Sequence, residues 1–163
     1  MRADAGACHA PAPAAIRRAT LDDVAALVEI ENAGFPGNRL DRRRFRYLLT
    51  QAHGVILVDA LAGAPELRGY VLLLFRSNSP VARVYSIATA PRHIKQGVAA
   101  RLLRAAEQLA LDHGYARQRL EIRADNAASL ALFERRGYRR FGRHAGYYHD
   151  GMDAVRLEKA LQR

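Results

Sequence analysis

A glycine at the junction of an apolar run and a helix pattern is the first candidate for chemistry. A short basic loop follows the apolar run 81–89, and a strong helix pattern begins at Gly97. The first N–H groups of a helix have no partner within it and lie at the positive end of its dipole, so they can bind a phosphate or pyrophosphate. Lys95 adds a positive charge, while Ala99 and Ala100 keep the first turn free of bulk. An ordinary strand–loop–helix turn would also fit this pattern.

Other phosphate-binding motifs do not fit the loop. The pattern GxxxxGK[ST] requires a Lys and then a Ser or Thr after its last glycine, but Val98 and Ala99 follow Gly97. The pattern GxGxxG requires further glycines that the segment lacks. Any phosphate would therefore be held by backbone N–H groups without a hydroxyl ligand for Mg²⁺.

A carboxylate on a predicted strand is the second candidate. Residues 119–123 alternate in polarity, so that Leu120 and Ile122 share one face and Glu121 lies on the other. A positioned carboxylate can act as a general base, directly or through a water molecule. The alternative is a surface glutamate paired with Arg119 or Arg123, which are its neighbours on the same face.

The elements that must position these residues follow from the spacing of apolar side chains. Helices are predicted to begin at Thr20, Asp41, Gly97 and Asn126. Strands are predicted at 16–19, 55–58, 69–75, 81–89, 119–123, 138–143 and 154–161. The resulting order is one strand, two helices, three strands, helix, strand, helix and two strands, which predicts an α/β mixed sheet with helices on both faces.

Length and composition predict one domain in residues 16–163, preceded by a flexible Ala/Pro-rich leader in residues 1–15. The chain has 163 residues, of which 50% are apolar, enough for a substantial core. Cys8 is the only cysteine, so neither a disulfide framework nor a cysteine–histidine metal site is expected, and no metal is predicted. No apolar run is long enough to span a membrane, and the leader lacks the apolar block of a signal peptide, so we expect a cytoplasmic protein.

The charge favours anionic partners. The net charge is +10, from 26 basic and 16 acidic residues. A field of this sign attracts nucleotide phosphates, nucleic acid or ribosomal surfaces. Basic and aromatic residues do not alternate as they do in nucleic-acid-binding motifs, so nucleic acid is not expected as a substrate. An RNA- or ribosome-binding module remains an alternative.

Several segments together resemble the GNAT superfamily of N-acetyltransferases. Residues 94–99 resemble its Q/R-x-x-G-x-G/A fingerprint, although Ile94 stands where Gln or Arg is expected. The segment Leu-Glu-Ile-Arg-Ala-Asp-Asn-Ala-Ala at 120–128 is similar to the LEVRxxNxxA segment of the RimI-like, ribosomal-protein-alanine branch. The resemblance continues through Phe133, Gly137-Tyr138, Tyr147-Tyr148 and an Asp-Gly turn at 150–151, and it covers residues 16–161.

The resemblance implies a fold and a cosubstrate. The fold would be a mostly antiparallel sheet with one splayed pair of parallel strands and helices on both faces. Acetyl-coenzyme A would be the acetyl donor, with its pantetheine arm paired to the backbone of Ile87, Ala88 and Thr89. Asn126 would bond the pantetheine or the thioester region. The pyrophosphate would be held by the backbone of the loop and first helical turn, namely Lys95, Gln96, Gly97, Val98, Ala99 and Ala100.

The resemblance also implies catalytic roles. Glu121 matches the general base of the RimI-like group. Phe133 stands where that group has a tyrosine that protonates the leaving thiolate, and its ring cannot donate a proton. It would pack against the thioester or in the core. Tyr147 or Tyr148 could supply a phenol instead, as could solvent.

The resemblance further implies that the acceptor site is lined by the segment between the first two helices, residues 35–40, and by the late hairpin, residues 144–151. Phe35, Tyr147 and Tyr148 would line an apolar slot. Arg39, with the arginines at 42–44, would favour acidic acceptors or would form a solvated helix face.

An α-amine titrates near 8 and a lysine amine near 10.4, so neutralising the lysine costs about 3 kcal/mol more. A peptide N-terminal α-amine is therefore the expected acceptor. A small-molecule amine and a catalytically weak acetyl-coenzyme A sensor are the alternatives. A monomer or a homodimer would suit this size.

Overall fold

The computed structural model describes residues 14–35, 37, 39–51 and 53–163. Residues 1–13 of the predicted leader, including Cys8, lie outside this part of the chain, while Ala14 and Ala15 belong to the first strand. The helices are α1 (Val24–Gly34), α2 (Arg42–Thr50), α3 (Val98–Asp112) and α4 (Ala127–Arg135). The strands are β1 (Ala14–Arg18), β2 (Gly54–Leu61), β3 (Leu67–Leu74), β4 (Val81–Thr89), β5 (Arg117–Arg123), β6 (Arg139–His144) and β7 (Ala154–Ala160).

The described strands form one seven-stranded sheet in the order β1-β2-β3-β4-β5-β7-β6. Every neighbouring pair is antiparallel except β4 and β5, which are parallel. This arrangement confirms the predicted order of elements, the mixed sheet and the single parallel pair.

Two apolar clusters hold the helices to opposite faces of the sheet. Leu102, Leu103 and Ala106 of α3 pack with Leu130 and Phe133 of α4 on one face. On the other face, residues of α1 and α2 such as Leu27, Phe45 and Leu48 pack against β2 and β3. The second cluster contains no residue of β5, β6 or β7, so this part of the sheet carries half-exposed polar side chains on the α1 face.

The parallel strands separate soon after they meet. Only Val81, Ala82 and Arg83 of β4 pair with β5, and the last pair is Arg83 with Arg119. The register between β3 and β4 shifts at the same level, because Leu72 pairs with Ser86 while Leu73 pairs with Val84. The extra residue, Tyr85, forms a bulge, which bends a strand and strengthens its twist. The bulge therefore accounts for the opening between the strands, which we call the β4–β5 gap.

The predicted start of the first helix is confirmed, whereas the predicted end of one strand was wrong. Thr20 caps a 3₁₀ turn, Leu21–Asp23, that leads directly into α1, and the Asp23 carboxylate accepts the Thr20 N–H at 2.8 Å. Strand β2 continues to Leu61, beyond the predicted end at residue 58, because Asp59 is fully buried and paired with Arg68 at 2.6 Å. A paired carboxylate can lie within a strand where an isolated one would be excluded.

Because two tyrosines are buried, we expect the fold to lose stability at alkaline pH. Burial raises the pKa values of Tyr70 and Tyr138 most, and the charges of Glu31 and Glu107 raise them further. Both phenols are therefore neutral in the fold, and their stabilising contribution is lost as the pH rises above about 10, where an unfolded tyrosine ionises. We expect the free energy of unfolding in urea to fall from pH 9 to pH 11, the range that brackets this pKa of about 10.

The fall of the free energy of unfolding with pH should be shallower in Tyr70→Phe and Tyr138→Phe than in the wild type. Tyr47→Phe removes an exposed phenol and serves as the control, which should keep the wild-type dependence. An equally steep fall in all three variants would contradict this account.

Candidate active site

The loop before α3 adopts the backbone that an anion site needs. A 3₁₀ turn, Pro91–His93, leads to Lys95 and Gly97, whose φ angles are 65° and 75°. These left-handed conformations end the loop, and α3 begins at Val98. Lys95, Gln96 and Gly97 are exposed, so the loop faces solvent immediately before the helix begins. We call residues 94–100 the anion cradle.

Arg101 braces the anion cradle from within the first turn of α3. Its Nη1 donates to the carbonyl of Gln96 at 3.0 Å, and its Nε donates to Asp59 at 3.3 Å. A Cβ at Gly97 would lie 3.3 Å from Nη1, so close contact and positive φ both favour glycine there. Sequence reasoning missed this role because the Asp59 partner comes from a distant strand.

The side chains of the anion cradle have different surroundings. Val98 is only 1% exposed and packs in the core cluster with Leu102. Ala99 and Ala100 are half-buried, whereas Gln96 is exposed and bonds Arg92 and His93. Ile94, which departs from the fingerprint, is 56% exposed and offers no donor. Backbone amides with cationic Lys95 beside them thus fit a pyrophosphate.

The outer edge of β4 fits an amide-containing arm. Ile87, Ala88 and Thr89 pair with β3 on one side. On the other side β5 has already separated, since its pairing with β4 ends at Arg83. Backbone groups on the unpaired edge of a strand can pair with an added chain. This geometry is consistent with the predicted pantetheine contact.

Glu121 lies in the β4–β5 gap, between two arginines. Its side chain is largely buried, and Oε2 lies 3.0 Å from Arg83 of β4 while Oε1 lies 3.8 Å from Arg156 of β7. The predicted alternative pairing with Arg119 or Arg123 is wrong. The register places Arg156 directly opposite Glu121, and a cross-strand partner is nearer than a residue two positions along the same strand.

Arg83 joins Glu121 to the late hairpin. Its Nη2 donates to the Tyr147 hydroxyl at 2.9 Å, and its Nε donates to Glu121 at 3.2 Å. Burial lowers the pKa of Arg83, but the charge of Glu121 and the contact with Tyr147 outweigh this effect and raise it. Arg83 was missed in the sequence because an isolated arginine on a strand carries no motif.

The two hairpin tyrosines lie side by side, with ring centroids 5.1 Å apart. Tyr147 is 42% exposed. Tyr148 is half-buried under the Arg123 guanidinium, which lies 4.9 Å from its ring centroid. Burial, more than any other factor, raises the pKa of Tyr148, so its phenol stays protonated at neutral pH. Tyr148 therefore keeps a proton to donate. Among the described hydrogen bonds, Arg83 connects Tyr147, and not Tyr148, to Glu121.

Phe133 and Asn126 have structural tasks in α4. Phe133 is 2% exposed, and its ring meets Tyr138 edge-to-face at 5.4 Å, as the core-packing alternative requires. Asn126 is exposed and caps α4, because its Oδ1 accepts the Ser129 N–H at 3.1 Å. Its amide NH₂ group remains as a donor.

The predicted acceptor residues come from two parts of the chain. Phe35 is half-buried at the end of α1, and Arg39 is exposed before α2. The described ring contacts join neither tyrosine of the hairpin to Phe35. The hairpin itself is closed by a bond from Tyr148 N–H to the Met152 carbonyl at 3.1 Å.

The described residues contain neither a metal-binding cluster nor a membrane-spanning helix. No group of three or more His, Cys, Asp or Glu side chains among them is arranged to hold a metal ion. None of their helices combines the length and the apolar character needed to cross a membrane.

Sequence comparisons relate this chain to known proteins. The sequence model of the Acetyltransferase (GNAT) family matches residues 24–138. The catalytic subunit NAA10 of the N-terminal acetyltransferase A complex from Arabidopsis thaliana is 31% identical over 152 residues, which cover 90% of this chain and 78% of that protein.

Solved structures share the fold. The ribosomal-protein-S18-alanine N-acetyltransferase from Escherichia coli superposes with a TM-score of 0.80 at 22% identity, over 93% of this chain and 96% of that chain. A chain of the NatC complex bound to Gag peptide and CoA gives a TM-score of 0.77 at 22% identity, over 91% and 99% of the two chains.

Proposed function

The chain belongs to the GNAT family of acetyltransferases, and we propose that it transfers the acetyl group of acetyl-coenzyme A to a peptide N-terminal α-amine. In this proposal Glu121 is the general base and the anion cradle binds the pyrophosphate. The relative from Arabidopsis thaliana is named for N-terminal acetylation, which favours this acceptor class over small-molecule amines.

The β4–β5 gap is the observation that carries the proposal. It leaves the backbone edge of Ile87, Ala88 and Thr89 unpaired along one side, and Glu121 lies on the strand that borders the other side. The anion cradle follows β4 directly in the chain. A donor whose diphosphate occupies the cradle and whose arm follows β4 would thus bring its thioester toward Glu121.

Acetyl transfer requires a neutral amine and a protonated leaving group. The neutral amine nitrogen forms a bond to the acetyl carbonyl carbon, and Glu121 takes one N–H proton from it as the carbon–sulfur bond breaks. This proton returns through solvent to the acid that has protonated the leaving thiolate. Tyr147 is proposed to protonate the thiolate, with Tyr148 as the second candidate. Arg83 donates to the Tyr147 oxygen, so the phenolic proton is free to point elsewhere. Because a thiol of this kind has a pKa near 8.5, an acid helps this step without being indispensable.

An acceptor panel with thiol release as the readout tests the function. The panel contains Ala-, Ser- and Glu-initiated peptides, their N-terminally blocked forms carrying an internal lysine, free amino acids and polyamines. We expect kcat/KM for free N-termini to exceed that for lysine by about 100-fold, because the more basic lysine amine costs about 3 kcal/mol more to neutralise.

Three outcomes are informative. Preference for polyamines or amino acids would replace the peptide acceptor by a small-molecule amine. Tight acetyl-coenzyme A binding without turnover of any acceptor would support the sensor alternative. Mass spectrometry of the peptide products locates the acetyl group, and label on lysine alone would contradict the α-amine proposal.

A further inference from the structure

Three hydrogen-bonded side chains connect helix α1 to strand β4 on the face of the sheet that α1 covers. Glu31 of α1 is 3% exposed, and its Oε2 accepts the hydroxyl of Tyr70, which is fully buried on β3. The Tyr70 hydroxyl also bonds Ser86 Oγ on β4 at 2.8 Å. The second Glu31 oxygen accepts the Leu40 N–H at 2.9 Å.

The chemistry of the three side chains determines which group donates in each of these hydrogen bonds. A carboxylate only accepts, so the single proton of Tyr70 is committed to Glu31. The Tyr70 oxygen must then accept from Ser86, and the Ser86 hydroxyl is the donor in that bond. Ser86 therefore keeps its lone pairs for another donor, and within the described part of the chain no second hydrogen bond to its hydroxyl occurs. Ser86 is held as an acceptor.

Ser86 lies at the β4–β5 gap, on the same side of the sheet as Glu121. The last paired residues of β4 and β5 are Arg83 and Arg119, so Ser86 and Glu121 both follow just beyond the point of separation. The Ser86 hydroxyl faces Tyr70, which packs in the α1 and α2 cluster. Glu121 points to that face too, because Leu120 and Ile122 on either side of it belong to the opposite cluster. Ser86 is half-buried and thus within reach of a ligand.

We propose that Ser86, oriented by Tyr70 and Glu31, accepts one N–H of the acceptor's primary amine while Glu121 accepts another. This inference rests on the proposed acetyl transfer. An attacking primary amine directs its lone pair at the thioester carbon and has two N–H bonds left. The two oxygen acceptors across the β4–β5 gap match these two donors.

The arrangement selects primary over secondary amines. An N-methylated N-terminus has one N–H fewer in its neutral form. Its remaining N–H goes to Glu121, and its methyl group then faces Ser86 and leaves the hydroxyl without its donor. The arrangement accordingly restricts the substrate to primary amines, and proline or N-methyl termini are excluded.

The test compares Ala-initiated and N-methyl-Ala-initiated peptides in the wild type, Ser86→Ala and Tyr70→Phe. Discrimination is the ratio of the two kcat/KM values. In Ser86→Ala we expect kcat/KM for the Ala peptide to fall about tenfold, the usual loss for one hydrogen bond to a charged or polar partner, and to change little for the methylated peptide. The discrimination ratio therefore falls about tenfold, with unchanged affinity for acetyl-coenzyme A.

Tyr138→Phe is the matched control. Tyr138 is also buried, and its hydroxyl also donates to a glutamate, Glu107, at 3.0 Å, but it lies in the cluster on the opposite face of the sheet. We expect this variant to keep the wild-type ratio, whereas Tyr70→Phe should lower it in the same direction as Ser86→Ala. Where Tyr70→Phe does not fold, Ser86→Ala alone carries the test.

Several results would overturn the inference. An unchanged ratio in Ser86→Ala would remove Ser86 from amine recognition. An equal loss for both peptides would assign the residue a structural role. A wild-type enzyme that turns over no primary amine at all would instead overturn the proposed function on which the inference depends.

Discussion

Replacing Glu121 by glutamine is expected to lower kcat for acetyl transfer at least about 100-fold, the usual range for a lost general base. Glutamine keeps the size of the side chain and can still accept from Arg83, so the β4–β5 gap should keep its shape. It cannot take up the proton that the attacking amine loses. Steady-state thiol release over a range of pH measures the effect, and acetyl-coenzyme A affinity should stay within about threefold, which is under 1 kcal/mol.

Glu158→Gln is the matched control for this change. Glu158 is a carboxylate on neighbouring strand β7 and also bonds two arginines, Arg117 at 2.7 Å and Arg119. It lies beside the paired part of β5 rather than at the gap, since the register places it opposite Arg119. We expect near-wild-type turnover from this variant. Wild-type kcat and an unchanged pH–rate profile in Glu121→Gln would exclude Glu121 as the base.

Placing a negative charge in the anion cradle is expected to weaken acetyl-coenzyme A binding by about as large a factor as Glu121→Gln lowers kcat. In Ala99→Glu the carboxylate lies in the first turn of α3, close to the site proposed for the diphosphate. Like charges about 5 Å apart at an effective dielectric constant of about 20 repel by about 3 kcal/mol, which corresponds to an approximately 100-fold higher Kd for acetyl-coenzyme A. Calorimetric titration measures this change.

Ala99→Gln separates charge from bulk. Glutamine has the same size as glutamate, so we expect Kd for Ala99→Gln to lie at least about tenfold below that for Ala99→Glu, since only the charge term of about 3 kcal/mol separates them. The glutamate is also expected to raise the free energy of unfolding slightly, because an acidic residue in the first turn is favourable to the helix dipole. If Ala99→Glu raises the free energy of unfolding but weakens acetyl-coenzyme A binding, the start of α3 is identified as an anion site. Equal affinities for the two variants would contradict the cradle.

The order of elements could be predicted from the sequence because it depends on local periodicity. The apolar residues of α3, from Val98 to Ala110, lie on one face of the helix, which packs against the sheet. Asn126 caps α4, as its side chain predicts. The separation of β4 and β5 was expected only from the resemblance, since a bulge at Tyr85 has no local sequence signal. The predicted end of β2 was wrong because Asp59 is buried and paired with Arg68 of the next strand, which local spacing does not reveal.

The partners of the site residues could not be predicted from the sequence. Glu121 meets Arg83, 38 positions away, and Glu31 meets Tyr70, 39 positions away. Such contacts depend on strand register and helix placement, which local patterns do not encode. The nearest charged neighbours in sequence, Arg119 and Arg123, bind Glu158 and Asp150 instead. The identity of Glu121 as a candidate was therefore available from the sequence, whereas its electrostatic surroundings were not.

A crystal structure with coenzyme A bound tests the central claim most directly. We predict that the diphosphate accepts hydrogen bonds from backbone N–H groups of residues 95–100, that the pantetheine follows the edge of β4 at Ile87–Thr89, and that the sulfur lies in the β4–β5 gap beside Glu121. Coenzyme A bound at any other place on the protein, or a sulfur directed away from Glu121, would contradict this account.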